Sequence, residues 1–495
     1  MNLTLIHSFV YRLTLKKVLF RQYFSLITIN FNIQLPLFNL KSYLCGMEQD
    51  TICALATPPG GAIAVVRVSG PDAIGITDCI FSGNLKNAKG NTIHFGRVID
   101  ADGKELDEVL VSVFRAPHSY TGEDSTEISC HGSPYIAGRL LESLILSGAR
   151  QAEPGEYTMR AFMNGKLDLS QAEAVADLIS SSTQATHQMA MSQMRGQFSR
   201  ELADLQGQLL HLTSLLELEL DFNDQDVEFA NRKQLSLLMD KIEGHISQLA
   251  DSFQTGNAIK NGIPVAIIGA PNVGKSTLLN ALVGEERAIV SNIQGTTRDL
   301  IEDTTQIDGI TFRFIDTAGI RKTQSKLERM GIERSIQAAE RAKIILLLTE
   351  SNQPFPDIDF REDQVVLQVI NKCDLSLPSS SYLYHRQPTE RLFHISAANG
   401  DGIDLLRRAL VQEASLPTDL DSNHSVVTNV RHYNALRLAL EALRRAKQAF
   451  ADHTPTDLVS EDLRGCLHHL GEIIGTEITS DDVLHNIFSH FCVGK

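Results

Sequence analysis

The chain of 495 residues contains no tryptophan, only 6% aromatic residues and no Cys-x-x-Cys pair. Its seven cysteines are scattered at positions 45, 53, 79, 130, 373, 466 and 492. That odd, unpaired set excludes a disulfide framework and a cysteine-rich zinc site, and it fits a reducing compartment. No uncharged apolar run reaches the ~20 residues of a spanning helix, so no membrane span is expected. Positive charge is in deficit as well, with 45 Lys plus Arg against 60 Asp plus Glu and a formal charge of −15. A general polyanion binder is thereby excluded, and any nucleic acid must be met by a local patch or a partner. The acidic residues are themselves missing from one region. Residues 1–46 contain no Asp or Glu and carry Arg12, Lys16, Lys17, Arg21 and Lys41. This non-globular extension is either a transit peptide or the product of a misassigned start, with the natural chain opening at Met47. The second reading is preferred, and it makes the protein cytoplasmic; a transit peptide would place it in an organelle matrix.

What remains is ordinary globular material, 43% apolar and 21% charged, long enough for about three domains. No repeat of solenoid period is visible. From Ile52 to about Arg150, short β-rich runs (Ala62–Val68, Val109–Phe114, Thr126–Ser129) alternate with turn signals such as Pro58-Pro59-Gly60, which predicts a small α+β domain. Leu205, Leu209, Leu212, Leu216 and Leu220 then recur at helical spacing, as Leu436, Leu440, Leu443 and Phe450 do near the end. Each stripe needs a mate, and the two halves can cover each other. The predicted order is therefore an N-terminal domain over 47–165, a first helical part over 166–260, an α/β domain over 261–418, and a second helical part over 419–495. The fold class is multidomain α/β, with a P-loop domain inserted into a discontinuous helical one.

The inserted segment carries the chemistry. Gly269–Ser276 reads GAPNVGKS directly after the buried-strand signal Val265–Ile268 and before a helix-like run. Glycines there turn backbone N–H groups toward phosphates, Lys275 offsets β/γ charge, and the Ser276 hydroxyl suits Mg²⁺. A second strand ends in Asp316-Thr317-Ala318-Gly319, a metal-side carboxylate followed by a side-chain-free N–H for the γ-phosphate. Gly295-Thr296-Thr297-Arg298-Asp299 lies between them. Asn371-Lys372-Cys373-Asp374 follows Val365–Ile370; Asp374 suits the paired donors of guanine, which adenine lacks. Ser396-Ala397-Ala398 offers backbone to the base. Five elements in this order predict a GTP-binding domain. The position after the DxxG glycine is Ile320, where Ras-like enzymes keep a water-orienting glutamine. Oxygens of Asn272 and the Ser291–Thr296 stretch can instead hold a monovalent cation, and Glu328 or Glu333 can supply a carboxylate; mechanism alone leaves these two open.

GAPNVGKS, GTTRD, DTAGIR and NKCD, with the terminal Phe491-Cys492-Val493-Gly494-Lys495, resemble the tRNA modification GTPase MnmE (TrmE) family. Further matches are Thr57-Pro58-Pro59-Gly60, Tyr120–Asp124, Pro154–Tyr157 and Lys166–Ala174, and together they run from Met47 to Lys495. The resemblance implies a homodimer formed through the N-terminal, folate-binding domain and a heterotetramer with the FAD protein MnmG. Together the two would modify C5 of the wobble uridine (U34) of certain tRNAs with a carboxymethylaminomethyl-type group, the one-carbon unit coming from 5-formyltetrahydrofolate or a related folate. By the same resemblance K⁺ would sit on Asn272, Ser291, Ile293 and Thr296, Mg²⁺ on Ser276 and Thr297, and Glu328 would be catalytic. Nucleotide contacts would further involve Val273, Gly274, Lys275, Thr277, Asn292, Gln294, Gly295, Asp316, Thr317, Ala318, Gly319, Asn371, Lys372, Asp374, Ser396, Ala397 and Ala398. Folate would meet Arg67, Glu127, Lys166 and Lys495. Cys492 reads as a buried thiol, with a nucleophilic role as the alternative.

Three further features carry blander expectations. The acidic stretch Asp221, Asp224, Asp226, Glu228 is read as a solvated helix end in preference to a metal site. Arg444, Arg445 and Lys447 are read as a solvated helix face in preference to a tRNA contact. His468-His469 shows no partner ligand at a suggestive spacing and is read as structural. A ribosome-assembly or other conformational-switch GTPase is the competing function. Its G domain would look alike, but it would lack the β-rich N-terminal domain and the FCVGK end.

Overall fold

The computed structural model describes residues 50–100, 102–221, 232–284, 303–315, 338–351, 353–356, 358–375, 391–414 and 425–476, and residues 484, 487, 488, 491 and 494. The extension over 1–46 lies outside these residues.

Period-two patterning builds the first sheet. Its strands are β1 (Ile52–Leu55), β2 (Ile63–Ser69), β3 (Thr92–Ile99), β4 (Glu105–Phe114), β5 (Ser125–His131) and β6 (Arg150–Gln151), in the order β3-β4-β5-β2-β1-β6. Val66, Val68, Val109, Val111, Val113 and Ile128 point to one face. There they meet Ile74 of α1 (Ala73–Ile80) and Leu140 and Leu144 of α2 (Pro134–Leu146). Alternation then sends Arg67 and its cross-strand partner Glu127 to the opposite face. The expected runs fall on β2, β4 and β5. Strand β3 was not anticipated, because its apolar Ile93 and Phe95 face outward, at 67% and 70% exposure.

After α3 (Glu156–Met163) the chain turns helical. Asp168 and Gln171 form a reciprocal capping box that starts α4 (Leu169–Ser180). Next come α5 (Gln184–Met194), α6 (Gln197–Asp221) and α7 (Arg232–Asn261); α10 (Val430–Ala451) and α11 (Thr456–Ile474) close the bundle. Leu205, Leu209, Leu212 and Leu216 share one core with Leu436, Leu440, Leu443 and Phe450. The two sequence-distant stripes thus cover each other, as patterning requires. Each fully buried leucine contributes about 1.5–3 kcal/mol through the apolar area removed from water.

Between the two helical stretches lies a second sheet, of order β12-β11-β10-β7-β9-β8. Its strands are β7 (Ile263–Gly269), β8 (Asp303–Ile307), β9 (Ile310–Phe314), β10 (Ile344–Glu350), β11 (Val365–Asn371) and β12 (Leu392–His394). Only β8 runs antiparallel to its neighbour. Helices α8 (Lys275–Val283) and α9 (Ile403–Glu413) bury Leu278, Leu282, Leu406 and Leu410 on it. Among the described residues no helix is long and apolar enough to cross a membrane.

Candidate functional site

In a parallel sheet the carboxyl ends of the strands share one edge, and ligands bind in the crevice there. The GAPNVGKS loop follows β7, Asp316 comes directly after Ile315 beyond β9, Asn371 closes β11, and Ser396 follows β12. The three described motifs, at the ends of β7, β11 and β12, therefore leave the same edge, and the motifs at Gly295–Asp299 and Asp316–Gly319 lie outside the described residues.

The phosphate loop needs its glycines for stated reasons. Gly274 has φ +94°, and an added Cβ would meet the side-chain nitrogen of Asn371. Gly269 lies against the Leu348 carbonyl, with no room for a Cβ. The loop then feeds the amino end of α8, whose unpaired N–H groups and positive dipole end favour an anion. Lys275 Nζ donates to the carbonyls of Gly269 and Ala270, both at 2.8 Å, so its ammonium is drawn across the loop. Burial lowers the Lys275 pKa, a cost that a bound phosphate would offset. Asn272 adopts φ +64° and its side chain is exposed at the loop's crest. Val273 is buried, whereas Ser276 and Thr277 occupy the first turn of α8.

Asn371, 2% exposed, ties two loops together. Its Nδ2 donates to the Val273 carbonyl at 2.9 Å and its Oδ1 accepts from the Ala397 N–H at 3.0 Å. Lys372, in a left-handed conformation at φ +61°, donates to the Asn272 carbonyl (2.7 Å) and to Glu350 (2.5 Å). The Ser396 hydroxyl donates to Asp374 Oδ1 at 2.6 Å and so fixes the exposed carboxylate beside the Ser396–Ala398 loop. Glu350, at the end of β10, was missed from sequence, since a lone acidic residue after an apolar strand has no motif to mark it. A phosphate cradle, a lysine and an oriented carboxylate on one edge can hold a nucleoside triphosphate and read its base. The donor set also suits Mg²⁺ through the Ser276 hydroxyl. Ser291, Asn292, Ile293, Gln294, Gly295, Thr296, Thr297, Asp316, Thr317, Ala318, Gly319, Glu328 and Glu333 lie outside the described residues, so three of the four expected K⁺ positions are among them.

A second polar cluster lies on the face of the first sheet opposite α1 and α2. Arg67 donates through Nε and Nη2 to Glu127 Oε1 at 2.9 and 2.8 Å. Its guanidinium carbon stands 5.4 Å from the Tyr120 ring centre and 5.5 Å from that of Tyr157, a cation–π arrangement. Nη1 reaches the carbonyl of Gly494 at 3.4 Å, so the chain's end returns to a residue 427 positions away. Gly494 has φ +96°, and a Cβ there would press on the Leu55 carbonyl. Lys166 donates to the Pro117 carbonyl at 3.0 Å and packs against Gly122, on the loop that carries Tyr120. Of the expected folate residues, Arg67 and Glu127 are thus brought together and Lys166 lies on the flanking loop; Lys495 and Cys492 lie outside the described residues. Tyr120 and Tyr157 had no role assigned from sequence, because stacking on a cation leaves no spacing signature. Tyr157 is fully buried, its hydroxyl donating to the Arg67 carbonyl at 2.8 Å. Behind it Glu156, 3% exposed, is clasped by Arg150 and Arg160. Burial alone would raise the Glu156 pKa, but these arginines and the Glu153 N–H hold it below the ordinary value.

The other features resolve differently. Arg444 pairs with Glu243, Lys447 with Asp240 and Glu243, and Arg445 with Asp462. The basic cluster is therefore an ion-paired helix surface whose charge is offset locally. Asp224, Asp226 and Glu228 lie outside the described residues. His468 and His469 do have a partner ligand, Glu472 one turn on.

Comparison with known proteins matches residues 51–166 to the family described as GTP-binding protein TrmE N-terminus, and residues 169–492 to the MnmE helical domain. A protein of Bacteroides thetaiotaomicron named tRNA modification GTPase MnmE is 52% identical over 469 residues, covering 91% of this chain and 100% of that one. One of the same name from Parabacteroides distasonis is 53% identical over 462 residues, covering 90% and 100%. Among solved structures, the G domain of the T. maritima FeoB iron transporter aligns at 21% identity and a TM-score of 0.23, over 31% of this chain and 99% of that one; a likeness that slight carries no argument.

Proposed function

Since this chain belongs to the tRNA modification GTPase MnmE family, we propose that it is a K⁺-activated GTPase that modifies C5 of the wobble uridine U34 in certain tRNAs. Its activity class is GTP hydrolysis in the service of tRNA modification. In the finer reading it works as a cytoplasmic homodimer in a heterotetramer with the FAD protein MnmG. The added group is of the carboxymethylaminomethyl type, and its one-carbon unit comes from a folate such as 5-formyltetrahydrofolate.

The observation that carries the GTPase half is the bracing of the phosphate loop and the base loop by the single side chain of Asn371. Binding energy for the base is thereby coupled to the geometry around the phosphates. Asp374, oriented by Ser396, would accept from guanine N1–H and the 2-amino group. Lys275 would leave its two carbonyl partners for the β/γ-phosphates, and the N–H groups at the start of α8 would hold the same oxygens. Ser276 and Thr297 would hold Mg²⁺, and Asn272, Ser291, Ile293 and Thr296 would hold K⁺; when bound, these ions would supply positive charge near the terminal phosphoryl group. Ile320 cannot orient water, so Glu328 would do so, accepting a hydrogen bond from the attacking molecule.

The folate half is supported by Arg67, held between two tyrosines and Glu127, with the Gly494 carbonyl at its edge. A cation and a carboxylate beside aromatic rings suit a flat, polar, anionic heterocycle. The exposed row Ile93, Phe95 and Leu110, with Phe95 opposite Leu110 across β3 and β4, supports the homodimer, since a second copy would remove that apolar surface from water. The test is GTP turnover with K⁺ exchanged for Na⁺ at constant ionic strength. A large rise in K⁺, abolished by Glu328→Ala while nucleotide still binds, is expected; equal rates in the two salts would remove the cation mechanism.

A further inference from the structure

Helix α11 turns an apolar stripe of Val459, Leu463, Cys466, Leu470 and Ile473 into the bundle core. That packing anchors the helix and fixes what its other side presents. Near its carboxyl end, side chains i, i+1 and i+4 converge. His468 Nε2 stands 3.5 Å from Glu472 Oε1, and His469 Nδ1 stands 3.1 Å from Glu472 Oε2. One ligand atom from each of the three lies within 4.8 Å of the others. The side chains are 50%, 27% and 45% exposed respectively, so the group is open to solvent on one side.

We propose that His468, His469 and Glu472 form a surface site for a divalent transition metal of the zinc class. Zinc binds imidazole nitrogen and carboxylate oxygen at about 2.0–2.2 Å, so tetrahedral ligand atoms sit about 3.3–3.6 Å from one another. The two histidine–glutamate separations, one to each carboxylate oxygen, fall close to that spacing before any metal is considered. The donor set is chemically selective. Two imidazoles with one carboxylate favour Zn²⁺, Ni²⁺, Co²⁺ or Cu²⁺, whereas Mg²⁺ and Ca²⁺ prefer all-oxygen shells. Glu472 lies in the last turn of α11, where the helix dipole favours a cation. Support from behind is present too. Arg431 Nη1 donates to the backbone carbonyl of Glu472 at 2.7 Å and holds that turn in place. The Arg431 charge is meanwhile matched by Glu173, which limits its repulsion of a metal ion. Three protein ligands leave a fourth position for water or for a donor from another molecule.

The test uses the full-length protein with Mg²⁺ and GDP present throughout, so that the nucleotide site is saturated. Zn²⁺ is titrated against a chromophoric chelator with wild type, Glu472→Gln and the double variant His468→Gln/His469→Gln. The expected result is one tight equivalent in wild type, weakened about tenfold or more by Glu472→Gln and lost in the double variant. A hundredfold excess of Mg²⁺ should leave it in place. Co²⁺ added to wild type gives a readout that needs no variant, namely the visible bands of a four-coordinate nitrogen–oxygen site. No tight equivalent in wild type, or unchanged binding in both variants, or only the weak spectrum of six-coordinate Co²⁺, overturns the proposal.

Discussion

Asn371→Ala removes two hydrogen bonds at once. The Val273 carbonyl and the Ala397 N–H would then be buried without partners, since the side chain between them is 2% exposed. Leaving a buried polar group unpaired costs about 1–3 kcal/mol each, so the pair costs about 2–6 kcal/mol. That cost falls on the arrangement in which the phosphate loop and the base loop stand together, the one that binds nucleotide. At about 1.4 kcal/mol per factor of ten, the lower figure already predicts a roughly thirtyfold loss of GTP affinity. Asn371→Asp should not rescue it. One carboxylate oxygen can still accept from Ala397, but the other faces the Val273 carbonyl, and two acceptors repel. Titration with a fluorescent guanine nucleotide measures the affinity, and thermal unfolding without nucleotide checks that the fold survives. Affinity within threefold of wild type in both variants would refute the coupling argument.

Asp374→Asn should weaken GTP and bring in xanthosine triphosphate, because the exchanged amide presents a donor where the carboxylate presented an acceptor; competition binding with both nucleotides reads this out, and unchanged preference for GTP would reject the assignment. Glu173 predicts an acid limb of stability. Burial alone would raise its pKa, but His432 and Arg431 hold it down at about 2, against an ordinary 4.5. A depressed folded-state pKa means the contribution is complete above pH 4.5 and is lost as pH falls toward 2. The difference corresponds to about 3 kcal/mol, so Glu173→Gln should flatten the fall in denaturation midpoint across that window; an unchanged slope would show that the carboxylate does not act this way.

The architecture was legible where one physical demand repeats along the chain. Leucines at helical spacing need a mate, and Leu205–Leu216 found theirs in Leu436–Phe450 although a whole α/β segment separates them. Phosphate chemistry needs glycines, a lysine and a hydroxyl in a fixed order at a strand end, so Gly269–Ser276 was readable, as were the ends of β11 and β12. Strand β3 escaped because its apolar residues face away from the core that strand patterning presupposes. The long-range polar contacts were also unreadable. Arg67 with the Gly494 carbonyl, and Arg431 with Glu173 258 positions away, depend on packing that no local spacing encodes. Glu472 beside the histidine pair was missed for a smaller reason, since an i, i+4 carboxylate on a polar helix face is normally a solvated charge.

The proposal that GTP hydrolysis by this chain serves modification of the wobble uridine is tested by mass spectrometry of tRNA nucleosides. Cells lacking the protein should lose the C5-substituted wobble uridine, wild type should restore it, and Asp374→Asn should not. Undiminished modified nucleoside in the lacking cells, or full restoration by Asp374→Asn without added xanthosine nucleotide, would contradict the claim.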